Sequence, residues 1–297
     1  MKSLKTKIYE SELKESRLNE SRLYEGFYKN AGGLLMPTSK EELMETILKL
    51  FESGVTNLNG INTSKITDMN NIFYILSREK VSSKIDMSKI DISLWDVSNV
   101  EYMHNMFYDC KDFNCDLSKW DVSNVVDMHN MFYGCKNFNS DLSKWNVSKV
   151  QNMDGLFLGC KVFNADLSRW NTGNVRDMNG TFSGCRSFKS DLSKWNVSNV
   201  KHMTSMFHNC TNFNSDLSRW DVSNVIYMTG MFDGCRHFNS NISEWDVSNV
   251  VYMSFMFRNC VRFNRDLSGW DTKNLVFKDD MFRDSGVEVL PSWYKKR

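Results

Sequence analysis

Tryptophan returns at a fixed step of 25 residues, at Trp95, Trp120, Trp145, Trp170, Trp195, Trp220, Trp245 and Trp270. A step held this strictly, with no insertion, predicts a chain built by stacking one unit on the next. Phe107 to Phe257, Phe113 to Phe263, Met103 to Met253 and Cys110 to Cys260 keep the same step. One unit, from Trp120, reads WDVSNVVDMHNMFYGCKNFNSDLSK.

Val125, Met128, Met131 with Phe132, and Cys135 are three or four apart, which predicts one face of a short helical segment. Asn139 to Trp145 lies between turn-formers and predicts a brief strand, stacked on its neighbours at about 4.8 Å. The expected fold class is an α/β repeat solenoid, with one short strand and one short helical segment per coil and about eight coils between caps. A coil's few large apolar side chains return roughly 2 kcal/mol each on burial, against about 1.5 kcal/mol per residue for ordering. Neighbouring coils must supply the difference, so stability is expected to be nearly one-dimensional and the ends to need caps.

Four regions follow from the pattern: a flexible polar tail (1–36), a capping helix and degenerate first coil (37–94), seven regular repeats (95–269), and a partial repeat with a C-terminal cap (270–297). Ser39 or Thr38 can cap a helix over KEELMETILKLFESG, whose Leu43, Ile47, Leu48 and Phe51 share a face. Ile61, Ile66, Met69, Ile72 and Phe73 reproduce the repeat, with nine extra residues before Trp95. Met281 and Phe282 keep the frame, Lys278 and Ser285 depart from it, and the pattern decays through Val287, Leu290 and Trp293.

Basic and acidic side chains nearly balance, 37 against 36, so there is no net field for nucleic acid or an anionic membrane. Nucleic-acid binding and membrane insertion are therefore not expected, since no run approaches the roughly 18 apolar residues of a span. No nucleophile motif, phosphate loop or carboxylate pair departs from the repeat, so neither catalysis nor a cofactor is expected. Seven cysteines in one slot, Cys135, Cys160, Cys185 and Cys210 among them, are expected to be small buried side chains, as the tryptophans are expected to be core. Cys115 is extra and expected to be a free thiol; the set argues for a reducing or protected compartment. His104 and His129 match in adjacent coils and could share a metal, but with no acidic or thiol ligand fixed beside them none is expected.

The Asp ladder Asp116, Asp141, Asp166, Asp191 and Asp216 runs beside Lys119, Lys144, Arg169, Lys194 and Arg219. Charge compensation is the expected role, with a docking stripe for an acidic partner as the second reading. Asn99, Asn124, Asn174, Asn199, Asn224, Asn249 and Asn274 are expected to bond the backbone. The two residues after each ladder Val vary most, and there Tyr102, Tyr227 and Tyr252 are candidate partner contacts. Phe255 takes a slot otherwise held by Asn, Gly or Ser, which marks the sixth and seventh coils as the most apolar exposed stretch.

The pattern W-[DN]-V-S-N-V-x-x-M-x-x-M-F-x-x-C-x-x-F-N-x-D-L-S resembles the BspA-like leucine-rich-repeat family, in its 25-residue mycoplasma-type surface-protein form, over about residues 58–290. Pro37 to Phe73 resembles the N-terminal cap of that branch. The resemblance implies a leucine-rich-repeat-like solenoid that binds proteins or host surfaces, is displayed outside the cell and has no catalytic activity. The sequence departs from it in having no signal peptide, lipobox cysteine or wall anchor, so a cytoplasmic or virion-associated place is expected beside the surface location implied.

In the tail, Ile8-Tyr9-Glu10, Leu13-Lys14-Glu15, Leu18-Asn19-Glu20 and Leu23-Tyr24-Glu25 recur at a step of five, each before Ser or Gly. A step of five turns about 140° on a helix and gives no single stripe. The form resembles the cleavage sites of tailed-phage prohead proteases, which makes Glu10, Glu15, Glu20 and Glu25 candidate processing sites. The expected function is a non-enzymatic interaction module for a protein or host-surface ligand; the alternative is a phage-encoded virion protein with a processed leader. Oligomeric state has no signature.

Overall fold

Matching residues of successive units can share one environment only if the units stack in register, and they do. The structure, a computed structural model, describes residues 35–79 and 85–294. The four candidate processing sites and almost all of the tail lie outside the described residues. From Asp68 to Phe277 an unbroken row of parallel single-residue bridges links each coil to the next, through Tyr102, Asp127, Asn152, Asp177, His202, Tyr227 and Tyr252.

Backbone donors in a coil alternate in direction. The N–H groups of Met103, Asn105, Phe107 and Asp109 donate to carbonyls of Asp127, His129, Met131 and Tyr133 in the next coil, at 2.6–3.0 Å. Those of Met106, Tyr108 and Cys110 donate three residues back within their own coil. Two residues per coil also sit in the left-handed region: one slot holds Asn105, Asn130, Gly155, Gly180 and Ser205, the other Asp109, Gly134, Gly159, Gly184 and Asn209. A left-handed residue every fourth position cannot continue a right-handed helix. The expected helical segment is therefore a chain of turns in the regular coils, and only the first coil keeps a true helical turn, α2 (Ile72–Leu76). The apolar spacing of three and four survives because the turns close three residues back.

The expected strand at Asn139–Trp145 is also a turn. Ser143 N–H bonds the Asp141 carboxylate at 2.9 Å, and Trp145 N–H bonds the Leu142 carbonyl. On this side the coils are joined by side chains in place of a backbone ladder. Asn139 N–H donates to Asn114 Oδ1 at 2.8 Å, Leu117 N–H to Ser140 Oγ at 3.0 Å, and the Trp145 indole to the Leu117 carbonyl at 3.0 Å. The indole bond recurs in Trp120, Trp170, Trp195 and Trp220. The Asn ladder bonds as expected, each Nδ2 reaching a carbonyl of the preceding coil, as Asn124 does to Ser98 at 2.6 Å.

Between these edges lies one continuous core of Trp, Phe, Met, Leu and Val. Phe132 stacks on Phe157 at 5.7 Å and lies 4.0 Å from Phe138 of its own coil. Every cysteine is free and buried, and Cys135, Cys160, Cys185 and Cys210 each donate from Sγ to a phenylalanine carbonyl one coil back at 2.9–3.0 Å. Burial pushes the Cys110 thiol up to about 12. Cys115 stands where other coils carry Ser140 or Ser190, accepting the Ile92 N–H as those serines accept a leucine's.

Helix α1 (Lys40–Glu52) closes the N-terminal end. Ser39 accepts from Glu42 N–H, and the Glu42 carboxylate accepts from Thr38, a reciprocal cap. Its buried face is Leu43, Ile47, Leu50 and Phe51; Leu48 is only half-buried. At the other end the expected decay is incomplete, because Trp293 regains the tryptophan slot two residues early. Its ring lies 6.1 Å from that of Trp270, and its indole donates to the Leu267 carbonyl at 2.8 Å. Lys278, standing in a methionine slot, donates to the Trp293 carbonyl and fastens that segment down.

Candidate interaction face

Matching aromatic rings lie 4.4 Å apart for Tyr108 and Tyr133, 4.9 Å for Tyr227 and Tyr252, but 6.2–6.5 Å along the regular tryptophans. The coils are thus closer along the face that runs from the bridge row to Tyr108 and Tyr133, and splay toward the tryptophans. Bridge residues hold their positions through backbone bonds, so their side chains are free of core duty. They are also where the repeat is least uniform: Tyr102, Asp127, Asn152, Asp177, His202, Tyr227, Tyr252 and Phe277 occupy one structural position.

The row divides in two. Its C-terminal part is an aromatic stripe in which His202, Tyr227, Tyr252 and Phe277 stack in order at 4.9, 4.9 and 4.7 Å. Tyr227 and Tyr252 are thus brought together, half-buried, while Tyr102 stands apart and exposed beyond four coils. His202 and Phe277 complete the stripe; His202 falls among the variable positions, but only the tyrosines there stood out as contacts. The signal that could have found them is the step of 25 from Tyr227 and Tyr252.

The N-terminal part is polar, and here the expectation of histidines without an acidic neighbour is corrected. Asp127 precedes His129 by two residues, which in extended backbone puts both on one face. His129 Nδ1 lies 2.9 Å from Asp127 Oδ1, and His104 Nδ1 lies 3.7 Å from Oδ2. The imidazoles stack at 4.5 Å and 10°. Burial, reinforced by the neighbouring His129, lowers the His104 pKa against the opposing pull of Asp127. Further along the row, burial and then the Asp177 charge raise the Asp154 carboxyl.

Phe255 is not the open apolar surface expected. It sits in the left-handed slot at φ 63°, half-buried, with the Arg258 guanidinium 4.5 Å above its ring. Arg258 is in turn bonded to the buried Asp233 carboxylate, with its Nε 3.1 Å from Oδ2. The pairing spans one coil, so no local pattern announced it.

Lys119, Lys144, Arg169, Lys194 and Arg219 are exposed beside the tryptophans, and none forms an ion pair among the described residues. Charge compensation is not what holds the Asp ladder. Asp116, Asp141, Asp166, Asp191 and Asp216 each accept the N–H of the serine two residues on, and that bond leads in lowering their pKa. The neighbouring cation is a lesser contribution.

The family model described as Mycoplasma protein of unknown function, DUF285, matches residues 77–195 and again 177–289. The chain belongs to that DUF285 family. The two matches start four repeats apart and overlap, as a periodic chain allows. No curated protein and no solved structure matches. Within this DUF285 chain, no described helix is long and apolar enough to cross a membrane.

Proposed function

We propose that the chain is a BspA-like leucine-rich-repeat solenoid acting as a non-enzymatic protein-interaction module, with the bridge row as its working face. One observation carries this reading. The row gives every coil one side chain at a fixed backbone position and lets it differ from coil to coil, while Trp, Phe, Met and Cys around it are held by packing. Such a surface reads an extended partner by position, as repeat arrays do. The partner contacts are Tyr227 and Tyr252 with His202 and Phe277, because stacked aromatic rings offer large contact area at low entropic cost. The ladder carboxylates support a role without catalysis, since each is engaged by a serine N–H in the same way.

The test is site-specific photocrosslinking on host cells, with the reactive residue at Tyr227 or at Lys194. Crosslinks to one protein from position 227 alone, and at least about tenfold weaker cell binding by Tyr227→Ser/Tyr252→Ser, support the face. Crosslinks from position 194 alone would move the working face to the basic stripe. Cell binding that Tyr227→Ser/Tyr252→Ser leaves undisturbed, with no crosslink from either position, would sink the interaction reading of both surfaces.

A further inference from the structure

We infer that His104, Asp127 and His129 bind one divalent transition-metal ion of the imidazole-preferring kind, zinc being the probe of choice. The donor atoms of the three residues lie within 4.8 Å of one another and are half-buried on the bridge row. Tetrahedral ligands about 2.1 Å from a zinc ion stand roughly 3.4 Å apart. The two carboxylate–imidazole separations, 2.9 and 3.7 Å, bracket that value. Binding would require the two stacked rings to tilt toward one another and the His129–Asp127 hydrogen bond to give way to the ion.

A second observation points to the same ion. Among the described residues His104 Nδ1 is the one buried side-chain nitrogen or oxygen with no hydrogen-bond partner. Its nearest carboxylate oxygen is too far for a hydrogen bond and well placed for a shared cation. The surrounding groups hold the ligands in place. Asp127 Oδ1 accepts the His129 backbone N–H at 3.0 Å, and Asn70 Oδ1 accepts the His104 backbone N–H at 2.9 Å. Such outer contacts orient metal ligands. Asp68, the next carboxylate toward the N-terminus, is paired with Lys40 at 3.4 Å.

Two imidazoles and one carboxylate select zinc, nickel, cobalt or copper over calcium and magnesium, which favour all-oxygen shells. The ion would join two adjacent coils, because His104 belongs to one and Asp127 with His129 to the next. Half-exposure leaves a coordination position for water or a partner's side chain.

The test uses the full chain, treated with chelator and kept reduced, titrated calorimetrically with Zn²⁺ and spectroscopically with Co²⁺. One equivalent should bind and raise the melting temperature, and Co²⁺ should show ligand-field bands without thiolate charge transfer. His104→Ala/His129→Ala, which keeps every cysteine, should lose binding. Asp127→Asn keeps the acceptor for His129 N–H, and should fold normally and bind at least about tenfold more weakly. His202→Ala should bind like the parent chain. No saturable uptake by the parent, a thiolate spectrum, or undiminished binding by the double variant would overturn the site.

Discussion

Replacing Trp170 separates the two things each tryptophan does, filling space and donating a hydrogen bond across coils. Its ring is buried, 6.3 Å from Trp145 and 6.2 Å from Trp195, with Phe157 tilted against it at 6.2 Å. Its indole N–H satisfies the Leu142 carbonyl of the preceding coil at 3.0 Å. Trp170→Ala opens a cavity of the kind that costs about 3–5 kcal/mol. The Leu142 carbonyl keeps the Trp145 N–H, so losing the indole bond adds only about 0.5–1.5 kcal/mol. Trp170→Phe keeps most of the ring and loses the donor, so the lost bond and the smaller ring together should cost about 1–3 kcal/mol. The assay is urea unfolding followed by far-UV circular dichroism. Because coupling passes through nearest neighbours, Trp170→Ala should also split the transition or lower its slope, as the two halves come apart. Two results refute the reasoning: Trp170→Ala melting like the parent, or Trp170→Phe costing as much as Trp170→Ala.

The depressed pKa values of Asp141, Asp166, Asp191 and Asp216 stabilise the fold above the ordinary carboxylate pKa of about 3.9, and that stability is lost as pH falls through their lower folded values. Converting all four to Asn, as Asn241 already stands in this slot, should flatten the fall in urea midpoint between about pH 5 and pH 2; an unchanged slope would reject their role. The ladder thiols should resist iodoacetamide at neutral pH in the folded chain and alkylate fully in denaturant, as read by intact mass, since burial raises Cys135, Cys185 and Cys235 well above the usual thiol range. Gly184 has φ +78°, so Gly184→Val should cost about 1–2 kcal/mol, while Gly184→Asn should cost distinctly less because Asn209 and Asn259 hold the same slot at φ 58° and 59°. Equal melting temperatures for the two variants would contradict a left-handed requirement.

The period of 25 and the side chains it buries were legible because packing repeats as the sequence does. The nine extra residues before Trp95 were legible too, and they explain why Asp68 pairs with Tyr102 across 34 residues in place of 25. The local conformation was not, because apolar spacings of three and four suit a helix and a run of turns alike. The discriminating signal was present in Asn105, Asn130, Gly155 and Gly180, residue types that tolerate positive φ. The bridge row left no alternating pattern, since it is one residue long in each coil. Arg258 with Asp233 and His104 with Asp127 meet only across coils, and Trp293 reaches its slot out of frame, so none obeys a local rule.

This division explains how one scaffold can carry different surfaces. A side chain at the bridge position contributes little to holding the stack, because the backbone bonds on both sides of it form whichever residue is there: Val126 N–H reaches Glu101 O just as Arg176 N–H reaches Gln151 O, both at 2.9 Å. A side chain at the opposite edge is itself the link, as the indoles, Ser140 and Asn124 are, and replacing it removes a bond between coils. Substitution is therefore cheap along the row and costly at the tryptophan edge. The row in this chain carries a histidine–aspartate cluster at one end and a stack of aromatic rings at the other, two recognition chemistries on one uninterrupted backbone ladder. Exchanging Asp127 for Tyr, as at Tyr102, should consequently leave the melting temperature within a few degrees while abolishing the polar cluster, whereas exchanging Trp145 for Tyr should not.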